Sequence, residues 1–377
     1  MLREYLSRIV TNTPGWHTGR KIIVFDSDDW GSIRMPGKAA YDKLLASGIR
    51  VDQCPYNRYD SLASEEDLSS LFEVLSSFKD FSGNHPVITA NCVVSNPDFD
   101  KIRESGFNTY YQEWFPVTLQ KYPNHSRSLQ LWKEGIERKL FHPEFHGREH
   151  LHVSRWMQAL KQNMPETRLA FDLQLFGLST IISNENRKSY LAAYDVNDNE
   201  GLEQIKAIIL DGLAIFRQIF GYSSKTFIAP NYTWPTQIEQ SLADWDIRYL
   251  KGAIVQNSPV INASHNKKIR HFTGQKNSYN QIHIERNGEF EPSFNYGKDS
   301  VDATLAQIDK AFSWKKPAIL SVHRVNFIGG IERSNRERSL TQFRDLLSKI
   351  CRKWPDAEFM TAEMLGDVIS SPRKSRR

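Results

Sequence analysis

Sulfur is scarce in this chain, and so are long apolar runs. There are three cysteines, Cys54, Cys92 and Cys351, in 377 residues. They are far apart, odd in number and never spaced as Cys-x-x-Cys. That argues against a thiolate metal site and points to a reducing compartment. No stretch approaches the roughly 20 apolar residues of a membrane-spanning helix. The segment from Met1 to Arg20 lacks the apolar centre of a secretory leader. The expectation is a cytoplasmic protein without a transmembrane segment. A concentrated basic face is also missing. The formal charge is +5, and Arg373, Lys374, Arg376 and Arg377 supply most of that excess. The body is therefore near neutral, and nucleic acid is not an expected partner. Leu2, Tyr5, Leu6, Ile9 and Val10 share one face of a short amphipathic pattern. That face is expected to dock on the chain's own body, with peripheral membrane contact as the lesser alternative.

What is present is an ordinary globular composition, 40% apolar and 25% charged, with 12% aromatics. The length suits one large α/β barrel. Short apolar runs alternate with helical patterns, the signature of repeated βα units. Strands are predicted at 21–25, 86–90, 169–172, 226–229 and 318–322, with a short one around Phe359. Helices are predicted at 64–78, 202–220 and 340–350. Ser64 and Asp67 have the spacing of a capping box, and Gly221 is a stop signal. With no internal repeat and no linker, the organisation reads as a single domain over 1–377. Within it lie a catalytic barrel at 20–366, an N-terminal segment at 1–19 and a disordered basic tail at 370–377.

In such folds catalytic groups collect where strands end. Three predicted strands end in chemically capable residues. The first runs into Asp26, Asp28 and Asp29, ahead of Trp30-Gly31. Three buried carboxylates so close together call for a cation. Alternation along a strand would put Asp28 and Asp29 on opposite faces, unless the strand has ended by then. Another segment carries His146 and His150. At i and i+4 on a helical turn they would sit about 5–6 Å apart and close on one metal. Last comes His323, just past an apolar strand, where an imidazole serves as a general acid. Two histidines and a carboxylate suit a divalent metal, zinc first, with cobalt, nickel or iron as alternatives.

Taken together these segments resemble the polysaccharide deacetylase family, the NodB-homology or carbohydrate esterase 4 group. Ser27-Asp28-Asp29-Trp30-Gly31 is similar to the family's Thr-Phe-Asp-Asp-Gly motif. His146 and His150 fit its His-x-x-x-His-Pro, with Leu151 in place of proline. The stretch from Leu131 to Glu137 is similar to the helix leading into those histidines, and Ser321-Val322-His323 to the last catalytic strand. The resemblance implies a distorted (β/α) barrel of the glycoside hydrolase/deacetylase type. It also implies Asp28 as general base, His323 as general acid, and Asp29, His146 and His150 as metal ligands. The implied activity is removal of N- or O-linked acetyl groups from a carbohydrate, in surface polysaccharide metabolism.

The family's Arg-x-Pro-Tyr aligns with Ile228-Ala229-Pro230-Asn231, so its arginine is absent here. Arg148 and Arg324 are the candidates to replace it, and Tyr232 to replace the aromatic. A backbone N–H near Asn231 is the candidate oxyanion donor. Trp30, Trp114, Tyr232 and Trp234 are candidates for stacking on sugar rings. Two rival readings stand beside this one. The first is a sugar-binding barrel that keeps the ligands without turnover. The second is a metallopeptidase using His146-x-x-Glu149-His150, a pattern that needs a regular helix.

Overall fold

The computed structural model describes residues 14–263, 265–294 and 299–371. The N-terminal amphipathic pattern and the basic tail beyond Ser371 lie outside the described residues. The main sheet contains Lys21–Trp30 (β1), Ile88–Val93 (β2), Phe141–Gly147 (β3), Thr226–Ile228 (β4), Tyr249–Ala253 (β5), Ile282–Arg286 (β6), Gly288–Glu289 (β7), Ala318–His323 (β8) and Ala357–Phe359 (β9). Its order is β6-β5-β4-β3-β2-β1-β8-β7, with β9 also paired to β1, and the pairs are parallel. The two ends of that order are one stretch of chain. β6 pairs with β5 and β7 with β8, and only Asn287 separates them. The Asn287 N–H donates to the Ile319 carbonyl at 3.0 Å, and its Oδ1 accepts the Ile319 N–H at 2.9 Å. The result is a nearly closed eight-stranded parallel barrel of the expected α/β class.

Surrounding helices include Glu65–Ser76 (α1), Ser128–Glu137 (α2), Pro165–Asp172 (α3), Asn199–Phe220 (α4), Ser300–Ser313 (α5), Arg333–Lys353 (α6) and Ala362–Ser370 (α7). Local chemistry sets their ends. The Ser64 and Asp67 side chains each accept the other's backbone N–H, which satisfies two orphan donors of α1. Asp198 caps α4 through the Gly201 N–H, and Gly221, at φ 78°, ends it. Strand faces divide the core. Ile23 and Phe25 point outward against the helices, with Phe25 edge-on to Phe343 of α6 at 5.2 Å. Ile22, Val24, Ile282, Ile284 and Ile319 fill the inside at the strands' N-terminal end, where Met360, Ala362 and Leu365 close the barrel like a floor.

The segment 169–172 is not a strand. It is the second half of α3, which starts at Pro165 and turns Ala170 and Phe171 inward. A four-residue apolar run is compatible with either state, and proline at the first helical position decides for helix here. No helix among the described residues is long and apolar enough to cross a membrane.

Candidate functional site

The polar residues sit inside the barrel at the C-terminal ends of the strands. Strand alternation aims Asp26 and Asp28 inward from β1, and a bulge then changes the pattern. The register between β1 and β2 shifts between Ser27 and Trp30, and Asp29 takes a left-handed φ of 75°. That extra residue lets Asp28 and Asp29 both serve the interior, as alternation alone would forbid. Gly31, at φ 80°, follows so close to β2 that a Cβ would stand 2.4 Å from the Val93 carbonyl oxygen.

Asp29, His146 and His150 converge. Their ligand atoms lie within 4.8 Å of one another, and all three residues are buried. Nε2 of His146 is 4.0 Å from Asp29 Oδ1, and Nε2 of His150 is 3.5 Å away. The local structure differs from the expected helical turn. His146 is the next-to-last residue of β3, and His150 comes from the loop that follows. The pair therefore meets through a strand end and a turn rather than through helical spacing. This also removes the helix that a His-x-x-Glu-His peptidase site requires. Glu149 instead accepts bonds from Tyr110 Oη at 2.9 Å and Arg148 Nε at 2.8 Å.

The imidazoles are set up as neutral donors of lone pairs. The His146 Nδ1–H donates to the Ile228 carbonyl at 2.8 Å, which fixes the tautomer and leaves Nε2 buried without a partner. Burial pushes the His146 pKa down. Burial, followed by the Arg34 charge, pushes His150 down to about 3. An orphaned buried nitrogen aimed at a carboxylate fits a cation. The donor set thus suits a divalent metal.

The chain also supplies cations of its own. Arg34 Nη2 donates to Asp29 Oδ1 at 2.8 Å. Burial works to raise the Asp29 carboxyl, and Arg34, then the imidazoles, hold it well below the usual range. Arg286, from the end of β6, grips Asp28 bidentately at 2.6 and 2.7 Å and donates from Nε to Asp26 at 2.8 Å. Lys251 of β5 donates to Asp26 at 2.8 Å, and Asn91 of β2 donates to both Asp26 and Asp28. The two arginines and the lysine thus offset the three carboxylates. Acidity alone therefore does not demand a metal here, and the histidines carry that case.

His323 ends β8 directly opposite Asp28 in register, with Nε2 at 3.8 Å from Asp28 Oδ2. Its Nδ1–H donates to Glu291 at 2.5 Å. Burial alone would lower its pKa, and Glu291 outweighs burial and raises it to about 9. A cleft of about 630 Å³ opens beside it, lined among others by Tyr56, Tyr232, Arg286, Glu291, Phe294 and His323.

Several expected contacts fall elsewhere. Trp30 is 1% exposed, bonded to Ser27 and edge-on to Phe141, and Trp234 is 2% exposed and bonded to Glu239. Neither ring lines the cleft, because both fill the core. Trp114 occupies the position just before the helix Phe115–Lys121 and is absent from the cleft lining. Arg324 is fully buried in a bidentate pair with Asp60, and Arg148 is held by Glu149 and Asp211. Neither meets Asp28. The arginine that does meet Asp28 is Arg286, from a different strand. Tyr232 does line the cleft, its hydroxyl accepting from Arg286 Nη1 at 3.0 Å. Asn231 is exposed with a left-handed backbone and does not line the cleft. Sequence reading missed Arg34, Lys251, Asn91, Arg286 and Glu291. The available signal was weak: a polar side chain at an inward strand position, Asn91 inside Ile88–Val93 and Arg286 at the end of Ile282–Arg286.

No protein-family model matches the chain. No curated protein matches it in sequence. Among solved structures, an allantoinase is 10% identical, with 93% of this chain and 91% of that chain covered and a TM-score of 0.47. A probable polysaccharide deacetylase from Pseudomonas aeruginosa is 9% identical over 93% and 91%, with a TM-score of 0.46. A branching enzyme from Thermococcus kodakaraensis is 10% identical over 94% and 72%, with a TM-score of 0.45. Likeness this distant does not decide the chemistry, which rests on the residues above.

Proposed function

We propose that the chain is a cytoplasmic, metal-dependent hydrolase that removes acetyl groups from a carbohydrate. Asp29, His146 and His150 would hold a divalent metal, zinc by donor chemistry. The single observation that carries this reading is the buried, unpartnered Nε2 of His146, whose other nitrogen is locked to the Ile228 carbonyl. A bound metal supplies Lewis acidity towards an acyl carbonyl and acidifies a water. Asp28 accepts the proton of the attacking water. Arg286 keeps that carboxylate ionised and orients it through both guanidinium nitrogens. His323, cationic through Glu291, donates its proton from Nε2 to the leaving amine or alkoxide. Tyr56 and Phe294, which flank His323 at ring distances of 5.5 and 6.1 Å, together with Tyr232 give the cleft its flat apolar surfaces for a sugar ring.

One observation favours the rival sugar-binding barrel without turnover. Arg34 and Arg286 already neutralise Asp29 and Asp28, so the site is stable in electrostatic terms before any substrate arrives. Metal analysis of purified protein, with acetate release from acetylated oligosaccharides, separates the two. Stoichiometric metal with acetate release lost in Asp28→Asn is the expected result. Metal without acetate release from any acetylated sugar would leave the silent barrel. Failure to bind metal at His146 would overturn both.

A further inference from the structure

A second histidine–carboxylate cluster lies at the opposite end of the barrel and has no part in the chemistry above. His142 and Glu144 are the second and fourth residues of β3, so alternation aims both inward. Glu363 reaches them from the first turn of α7, which is anchored there by the Ala362 N–H donating to Thr89 of β2 at 2.9 Å. His142 Nε2 is 3.2 Å from Glu144 Oε1 and 2.9 Å from Glu363 Oε2, and the three atoms lie within 4.8 Å of one another. Tetrahedral ligands held at about 2.0–2.2 Å from one ion stand about 3.3–3.6 Å apart, so both spacings reach a metal geometry with a small outward shift of the side chains.

Hydrogen bonding leaves the cluster short of positive charge. Glu144 is fully buried, and its Oε2 accepts from Ser224 and from the Lys225 and Thr226 N–H groups. Among the described residues its Oε1 meets His142 alone. One Nε2–H cannot serve two carboxylates fully, and one imidazolium balances only one of them. Lys251, the nearest buried ammonium acting on Glu144, is bonded to Asp26 and Asn91. A cavity of about 410 Å³, lined by His142 and Glu363 with Arg138, Lys139 and Asp367, gives access from solvent.

We propose that His142, Glu144 and Glu363 form a second divalent transition-metal site, which pins α7 to the floor of the barrel. A neutral imidazole, two carboxylates and a divalent ion sum to zero charge, and the donor set suits zinc or its neighbours. The role is structural. His142 lies about 13 Å along β3 from His146, towards the opposite barrel end, and the site stands independently of the function proposed above.

The test uses chelator-stripped full-length protein titrated with zinc alone, read by calorimetry and by metal content after desalting. The expected result is two equivalents for the parent chain and one each for His142→Ala and His146→Ala. Added zinc should also raise the melting temperature of His146→Ala, and this rise should be lost on adding Glu363→Gln. Glu363→Gln changes a partly exposed helix residue and keeps its shape, so it folds even where His142→Ala does not. The proposal fails if His146→Ala binds no zinc, or if Glu363→Gln binds as much as the parent chain. A single equivalent in the parent chain that His142→Ala abolishes and His146→Ala leaves unchanged would instead count against the catalytic metal and leave this site standing.

Discussion

Removing Arg286 tests how the interior holds its charge. The guanidinium donates to Asp26, twice to Asp28, and to the Tyr232 and Ser321 hydroxyls, all in the barrel interior. Arg286→Met keeps most of the volume and leaves two carboxylates with Lys251, bonded to Asp26, and the His323 imidazolium, 3.8 Å from Asp28, as the nearby cations among the described residues. Breaking a buried pair by deleting one partner costs about 3–5 kcal/mol, because the remaining charge stays desolvated. At 1.36 kcal/mol per tenfold, that is roughly a hundred- to few-thousand-fold in the unfolding equilibrium. Guanidinium unfolding should show a lower midpoint at unchanged slope. Asp28→Asn in the same chain should recover part of the loss, with a coupling energy of roughly 0.5–3 kcal/mol from the cycle. Activity should not return with it. An unchanged midpoint in Arg286→Met, or single and double changes that simply add, would refute the claim that Arg286 balances the carboxylates.

Other perturbations separate the remaining parts. His323 gains its raised pKa in the fold, so its pairing with Glu291 stabilises the protein fully below about pH 6.5 and is lost as pH rises through about 9. Glu291→Gln should lower the His323 pKa, followed by NMR titration, and pull down the alkaline limb of any activity profile; an unmoved titration refutes the pairing. Gly31→Ala should cost roughly 1–3 kcal/mol from strain at its φ of 80° and more from its contact with Val93, measured by denaturant unfolding. Trp30→Ala should cost about 3–5 kcal/mol as a core cavity. Phe294→Ala, at the cleft, should instead weaken sugar binding with a small change in stability. Reversal of that order would put the tryptophan in the binding surface.

Much of the barrel was legible because each βα unit writes its own signal. The apolar run before Asp26, the α4 periodicity with its Gly221 stop and the Ser64 capping box are local, and local physics executes them. β5 and β6 escaped notice for a physical reason. Their inward positions at the strands' C-terminal end carry Lys251 and Arg286, so neither reads as a continuous apolar run. The same polarity disguised β3, whose Glu144 and His146 face the interior, and suggested a helical turn instead.

The sequence by itself determined the residue types at the strand ends, the order of the βα units and the nearness of Asp28 and Asp29. It also placed His146 and His150 four residues apart, but the end of β3 and the turn after it, not that spacing, bring the two rings together. Only the tertiary structure decided which arginine meets which carboxylate. Arg286 reaches Asp28 across 258 positions, while Arg324 is consumed by Asp60 across 264. Such pairings depend on barrel closure and register, which no local pattern encodes. Burial decided the rest. A tryptophan beside a buried aspartate is a binding platform or a core ring according to what packs over it, and over Trp30 that is Trp132 and Phe141.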